Sequence, residues 1–282
     1  MRRFKIPKEE FVTGDTIQSL CNFIFDIDNF INATKYTGSI QNLINDQIEQ
    51  INLKQPSIVF VFGHDTEKFL LNKDKIVKPF KLVTHNSDLG IYEKYIPHIN
   101  EKILKWYGQN NYIQHKKVFA LPIGLARSRW PHGNLDLFKS IIDKNNPKIN
   151  LVYKNFNIGT NVNERICVNN ITNNNKIFMD QPTSIEQYWD KLSKSCFSVS
   201  PKGNGIDCHR IWESLYLNTI PIVQKHQALA PFENLPILFI DNWEQVTHDF
   251  LKNKLDLFEK FNNNSSLNML KLSYWKKCIE NE

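Results

Sequence analysis

The sequence predicts an α/β protein built from two Rossmann-like domains. Three observations carry that expectation. Short β-prone runs alternate with segments of helical spacing, which implies parallel sheets with crossover helices. A polar stretch at 143–148 (DKNNPK) separates two such series. Residues 196–223, CFSVSPKGNGIDCHRIWESLYLNTIPIV, read in succession as strand, glycine loop, helix and strand.

Taken in order, residues 22–27 (NFIFDI) give a first strand. Residues 39–51 place Ile40, Leu43, Ile44, Ile48 and Ile51 at helical spacing. Pro56 ends that helix, and 57–62 (SIVFVF) is an unbroken apolar run, the mark of a buried strand. A strand at 81–84 (KLVT) ends in His85-Asn86-Ser87-Asp88, a helix is expected over 97–107, and 118–121 (VFAL) is another strand. Beyond the polar stretch, 150–155 opens the second series, 160–170 is a short helix carrying Arg165, and 177–179 a short strand. Residues 185–193 form a helix with Tyr188, Trp189 and Leu192 apolar. Asp207 is expected to cap the helix after the glycine loop, whose buried side carries Ile211, Leu215 and Leu217. Strands at 220–223 and 237–240 follow, and after NNNSS (262–266) a last helix covers 267–278. The expected domains are 1–147 and 148–262, with 263–282 packing back on the first through Tyr274 and Trp275.

Bulk properties narrow the class. The 282 residues are 41% hydrophobic and 23% charged, enough for two cores. A net charge of +6 with scattered basic residues fits a small anionic ligand or an acidic surface better than a nucleic acid. Five distant cysteines, Cys21, Cys167, Cys196, Cys208 and Cys278, form no C-x-x-C pair, which points to a reducing compartment. The opening MRRFKIPKEEF has no apolar core of a signal peptide, and no run is long enough to span a bilayer. A soluble, cytoplasmic protein is expected. The heavy use of Asn, Lys and Ile is that of AT-rich genomes such as those of some large DNA viruses and low-GC bacteria, and for a virus the compartment would be the host cytoplasm.

A strand feeding a glycine loop and a helix start makes an anion site, because free N–H groups and the helix dipole point at the ligand. Lys202, Gly203, Asn204, Gly205, His209 and Arg210 form that site, and Arg165 and Lys225 add charge near element ends. Glu213, one turn beyond Arg210, can accept from a sugar hydroxyl. An Arg–Glu pair on a solvated face would look the same in isolation; the glycine loop and flanking strands favour the site. The loop fits neither the dinucleotide fingerprint nor the P-loop pattern.

The run SPKGNGIDCHRIWESLYLNTIPIV resembles the nucleotide-sugar-binding segment of exostosin-like glycosyltransferases and related GT-B enzymes, over about residues 183–245. The resemblance implies two domains facing a central cleft, with the acceptor on the first, the donor on the second, and a terminal helix returning to the first. It implies a UDP- or GDP-sugar as donor substrate, no permanently bound cofactor and a glycan or glycoconjugate acceptor. Many enzymes of this type are membrane-tethered and lumenal, so the expected absence of a transmembrane segment departs from their pattern, and the charge argues for no nucleic acid as partner. By position, Arg210 takes the diphosphate and Glu213 the ribose.

Transfer needs charge on the leaving diphosphate offset and a proton taken from the acceptor. Asp88 or His85, after the strand at 81–84, and then Asp65, after the strand at 57–62, are the candidate bases. The expected reaction is inverting. It is also expected to be metal-independent, with an Asp-x-Asp motif taken to be absent. Two other readings stay open: a non-catalytic nucleotide- or glycan-binding module on the same fold, and a sugar-nucleotide epimerase of GT-B shape.

Overall fold

The structure is a computed structural model and describes residues 5–181, 184–262 and 264–281. The two parallel α/β units are borne out. One unit comprises Gly14–Pro122 and Trp275–Glu282, the other Met1–Thr13 and Ile123–Tyr274.

The first unit holds a five-stranded sheet of β1 (Phe23–Phe25), β2 (Ile58–Phe62), β3 (Phe80–His85), β4 (Ile103–Gly108) and β5 (Val118–Ala120). The strands lie in sequence order and every pair is parallel. All five residues of β2 are buried, as its unbroken apolar run requires. The helix Ile40–Lys54 buries Leu43, Ile44, Ile48 and Ile51, the stripe its spacing predicts. Phe69 packs against β1 and β3, meeting Phe25 and Phe80 edge to face at 5.1 and 5.7 Å.

The helix expected at 97–107 is not formed. A 3-10 turn spans Glu93–His98, residues 99–102 form an irregular turn, and β4 begins at Ile103. Trp106, Tyr107 and Gly108 are buried between β3 and β5. A Cβ on Gly108 would lie 2.5 Å from Thr84 Oγ1, so close strand packing needs the glycine. The last helix, Leu272–Asn281, belongs to this unit from Trp275 onward. It buries Trp275 and Ile279. Lys81 Nζ donates to the Ile279 carbonyl at 2.8 Å and Tyr107 Oη to that of Cys278 at 2.7 Å. Trp275 belongs to this unit and Tyr274 to the other.

The second unit holds β6 (Asn150–Tyr153), β7 (Ser195–Val199), β8 (Ile220–Gln224) and β9 (Leu238–Ile240), again parallel and in sequence order. Its longer helices include Leu135–Lys144, Val162–Asn174, Ile185–Ser193 and His209–Tyr216. The units divide at Pro122/Ile123 and not at 147, because the helix Leu135–Lys144 packs inside the second one. Phe138 meets Trp189 edge to face at 4.9 Å and Phe11 at 5.9 Å. Thr13 bridges Leu125, which brings the N-terminal segment into the same unit. The strand expected at 177–179 is an irregular segment. Ile177 is buried but Phe178 is 69% exposed, and the Lys154 ammonium holds the segment by donating to the Ile177 carbonyl at 2.9 Å. Lys154 also donates to Asn169 and Asn173, and its burial lowers its pKa to about 8.

Candidate functional site

The site is built where β7 and β8 end. Ser200 to Cys208 forms the loop from β7 to the helix His209–Tyr216. That helix is buried from Ile211 to Tyr216, so only its first turn is presented outward. Its N-cap is Cys208, with no side-chain cap, and not Asp207. Asp207 is buried one residue earlier and serves as a brace. Oδ1 accepts from Trp212 Nε1 at 2.7 Å and Oδ2 from the Ile123 amide at 2.6 Å. Burial raises its pKa to about 7, against the donors that favour the carboxylate.

Arg210 and Arg165 meet over one aromatic ring. Their guanidinium carbons lie 5.9 and 5.7 Å from the centroid of Phe156, just after β6. Arg165 is buried and holds the glycine loop, donating from Nε to the Lys202 carbonyl at 3.0 Å and from Nη1 to that of Asn157 at 2.6 Å. Burial, and then the charge of Arg210, lower its pKa. For Arg210, burial weighs against the charge, but Tyr188, Cys208 and Glu213 together hold its pKa above the ordinary value. The buried Arg210 Nε has no hydrogen-bond partner.

The loop is fixed against these cations. Asn161, which caps the helix Val162–Asn174, donates from Nδ2 to the Gly203 carbonyl at 2.8 Å. A Cβ on Gly203 would stand 3.1 Å from Arg165 Nη2. The Gly203 amide is committed to the Gly205 carbonyl at 3.0 Å, so it does not serve as the anion donor the sequence suggested. Gly205 is buried and Asn204 exposed. His209 Nδ1 donates to the Gly124 carbonyl at 2.8 Å.

Beside the loop lies a cleft of about 230 Å³ between the ends of β7 and β8, lined in part by Ser200, Lys202, Val223, Lys225 and His226. Lys202 pairs with Glu164 at 3.4 Å and Lys225 with Asp241 at 2.7 Å, both near the surface. Burial, then Lys202, lower the pKa of His226, whose Nδ1 accepts from the Ala228 amide at 3.1 Å. The imidazole therefore stays neutral near pH 7.

Glu213 differs from its expected role. It is 4% exposed and turned toward the helix Ile185–Ser193. Oε2 accepts from the Tyr188 hydroxyl at 2.9 Å and Oε1 from Trp189 Nε1 at 3.2 Å. The pattern Arg-x-x-Glu does bring both charges to one place, but the carboxylate faces the core.

The candidate bases lie in the other unit and separate sharply. His85 is buried, with Nε2 donating to the Pro122 carbonyl at 2.9 Å and Nδ1 3.0 Å from Asn86 Oδ1. Asp65 is fully buried and accepts from the Ile27 and Asp28 amides and from Lys68 Nζ. Both are committed inside the protein, which corrects their reading as bases. Asp88 is exposed on the loop after β3. An Asp-x-Asp is present after all, at Asp26-Ile27-Asp28. Asp26, His64 and Asp65 there form a group with metal-ligand atoms in mutual reach, while Lys68 Nζ bonds Asp28 and Asp65 at 2.8 Å.

Sequence reasoning missed Phe156, Asn161 and His226. Phe156 and His226 carried one signal, a position just past the end of a strand.

Residues 138–277 match the family model of the RXYLT1 C-terminal domain, which takes in Phe156, Arg165, the glycine loop and Arg210. No curated protein matches the chain. Among solved structures, a UDP-forming α,α-trehalose-phosphate synthase from Burkholderia vietnamiensis is 9% identical, with 84% of this chain and 77% of that one covered at a TM-score of 0.48. A glycosyltransferase from Rickettsia africae is 16% identical, with 86% and 82% covered at a TM-score of 0.43.

Proposed function

We propose, from the premise that the chain belongs through residues 138–277 to the RXYLT1 C-terminal domain family of exostosin-like glycosyltransferases, that it moves a sugar from a nucleoside diphosphate sugar to an acceptor hydroxyl. The observation that carries the donor assignment is the pair of guanidiniums over Phe156, with Arg210 Nε buried and unbonded. Two like charges held together are relieved by an anion, and a diphosphate supplies two. Arg210 contacts the diphosphate. Arg165 braces the glycine loop and lends its charge. The cleft between Lys202, Lys225 and His226 takes the nucleoside, uridine or guanosine. Glu213 acts one step back, orienting Tyr188 beside Arg210.

In the reaction, negative charge grows on the leaving diphosphate as the glycosidic C–O bond breaks, and Arg210 stabilises that charge in a partly desolvated setting. The cations suffice without a divalent ion. Asp88 takes the acceptor proton, and the product is inverted.

The test is calorimetry of UDP and GDP in chelator, followed by turnover of the matching nucleotide sugars. Binding in chelator that Arg210→Ala abolishes supports the donor site. Loss of binding in chelator, restored by manganese, rejects the metal-free reading. Binding without turnover on any acceptor favours the non-catalytic module.

A further inference from the structure

The loop between Ile123 and Asn134 does more than close the fold. Its start is tied to the site helix, by the Ile123 amide to Asp207 and by the Gly124 carbonyl to His209. Gly124 itself needs a glycine, with φ +68 and a Cβ position 2.2 Å from the Val12 carbonyl oxygen. The far end is equally fixed. The Trp130 amide donates to the Arg127 carbonyl at 3.0 Å and the Gly133 amide to that of Trp130 at 2.8 Å. A Cβ on Gly133 would overlap the Arg127 carbonyl, and Pro131 restricts the turn.

This rigid loop displays an indole. Trp130 is 48% exposed, with the Arg129 guanidinium carbon 5.0 Å from its centroid and the His132 ring near parallel at 6.3 Å. His132 in turn meets His209 at 5.9 Å, and His209 directly precedes Arg210. A row of rings thus runs from the phosphate end of the site helix outward to Trp130. The described lining of the nucleoside cleft contains no residue of this loop.

We infer that Trp130, with Arg129 and His132, is a stacking platform for a saccharide ring of the acceptor. The apolar C–H face of a sugar ring packs on the electron-rich face of an indole, while guanidinium and imidazole donors meet its hydroxyls. A sugar ring stacked on the indole would cover apolar surface that now faces water. The position favours the acceptor over the donor sugar, and puts an acceptor contact in the donor unit rather than only in the first one, where the resemblance places the acceptor. The transferred ring is bonded directly to the diphosphate, whereas the indole stands two ring-to-ring steps, of 5.9 and 6.3 Å, from His209. The acceptor assignment rests on the proposed transferase reading; binding of a sugar ring by Trp130 does not.

Saturation-transfer NMR with the methyl glycosides of glucose, galactose, xylose and N-acetylglucosamine tests it. At least one glycoside should show transfer to its ring protons on the wild type. Trp130→Ala should weaken that affinity roughly fivefold or more, and Trp130→Tyr should keep most of it. UDP and GDP affinity, measured on the same samples, should be unchanged in both variants, which also reports an intact fold. No glycoside binding, or equal binding in Trp130→Ala, overturns the platform while leaving the donor site standing. If Trp130→Ala instead removes the difference in affinity between a nucleoside diphosphate and its sugar conjugate, the ring belongs to the donor and the acceptor assignment falls. Failure of nucleotide binding with glycoside binding intact would strike the transferase reading alone.

Discussion

Two guanidiniums over one phenyl ring repel each other, and that repulsion sets up the first expectation. Arg210→Ala should weaken nucleoside diphosphate binding by about 2–4 kcal/mol, the usual worth of one such charge-assisted contact. It should also relieve Arg165, whose pKa the charge of Arg210 lowers. Calorimetry on the variant checks the first effect; unchanged affinity would remove Arg210 from the site. Glu213 gives the converse case. Replacing it with Gln lets Oε1 keep accepting from Trp189 Nε1, a donor only, but turns an N–H₂ donor toward the Tyr188 hydroxyl, whose proton then loses its buried acceptor. A buried mismatch of this kind costs about 1–3 kcal/mol. Glu213→Gln should therefore lower the melting temperature and reduce nucleotide affinity little; a large affinity loss with unchanged melting would restore it as a ligand contact. Residue type alone could not separate these two side chains. Arg210 and Glu213 sit three apart on one helix, yet one ends beneath the loop and the other against Trp189. His85 and Asp65 teach the same lesson: both follow buried strands, as candidate bases should, and both spend their polar atoms on the fold. Burial of a polar side chain depends on elements distant in sequence, and no local pattern encodes it.

At the scale of elements, the strand-loop-helix-strand unit was readable because glycine, apolar runs and helical spacing are local signals. The stretch 97–107 was not, since Ile99, Ile103, Trp106 and Tyr107 also fit a helix. Pairing with β3 and β5 decides in favour of a strand, as tertiary context often does over propensity. The brace between Ile123 and the site helix was hidden too, because Asp207 looked like a cap. Its pH dependence can be measured. The folded-state pKa is raised to about 7 from 3.8, so the folded protein binds the proton more tightly than the unfolded chain. The contribution of this group to stability is full below the unfolded value and is lost as pH rises through about 7. Urea melts should show wild-type stability falling relative to Asp207→Asn between about pH 5 and pH 8, by on the order of 3 kcal/mol. A parallel course for the two proteins would mean the carboxylate is already ionised in the fold.

The whole chain crosses between its units three times, after Thr13, Pro122 and Tyr274. Alternating strands and helices disclosed that there are two units, but a polar stretch at 143–148 marked the boundary poorly, because the helix before it carries Phe138 into the second core. The last crossing has a consequence that can be tested. The segment from Trp275 onward belongs to the five-stranded unit, where Trp275 and Ile279 are buried and the carbonyls of Cys278 and Ile279 accept from Tyr107 and Lys81. Burying two such side chains contributes about 3–6 kcal/mol in all. Truncation after Tyr274 should then destabilise the unit that carries Asp88, while Phe156, Arg165 and Arg210 keep their own supports. Hydrogen exchange resolved by peptide gives the readout. Amides of β3 and β4 should exchange faster in the truncated chain, those of β7 and β8 at the wild-type rate, and nucleotide should still protect the first turn of the site helix. Turnover should fall much further than nucleotide affinity, because on the proposed reading the base lies in the weakened unit. Equal acceleration in both sheets would show that the terminal helix supports the chain as a single cooperative body, and the separation of donor binding from proton transfer drawn from the two units would then fail.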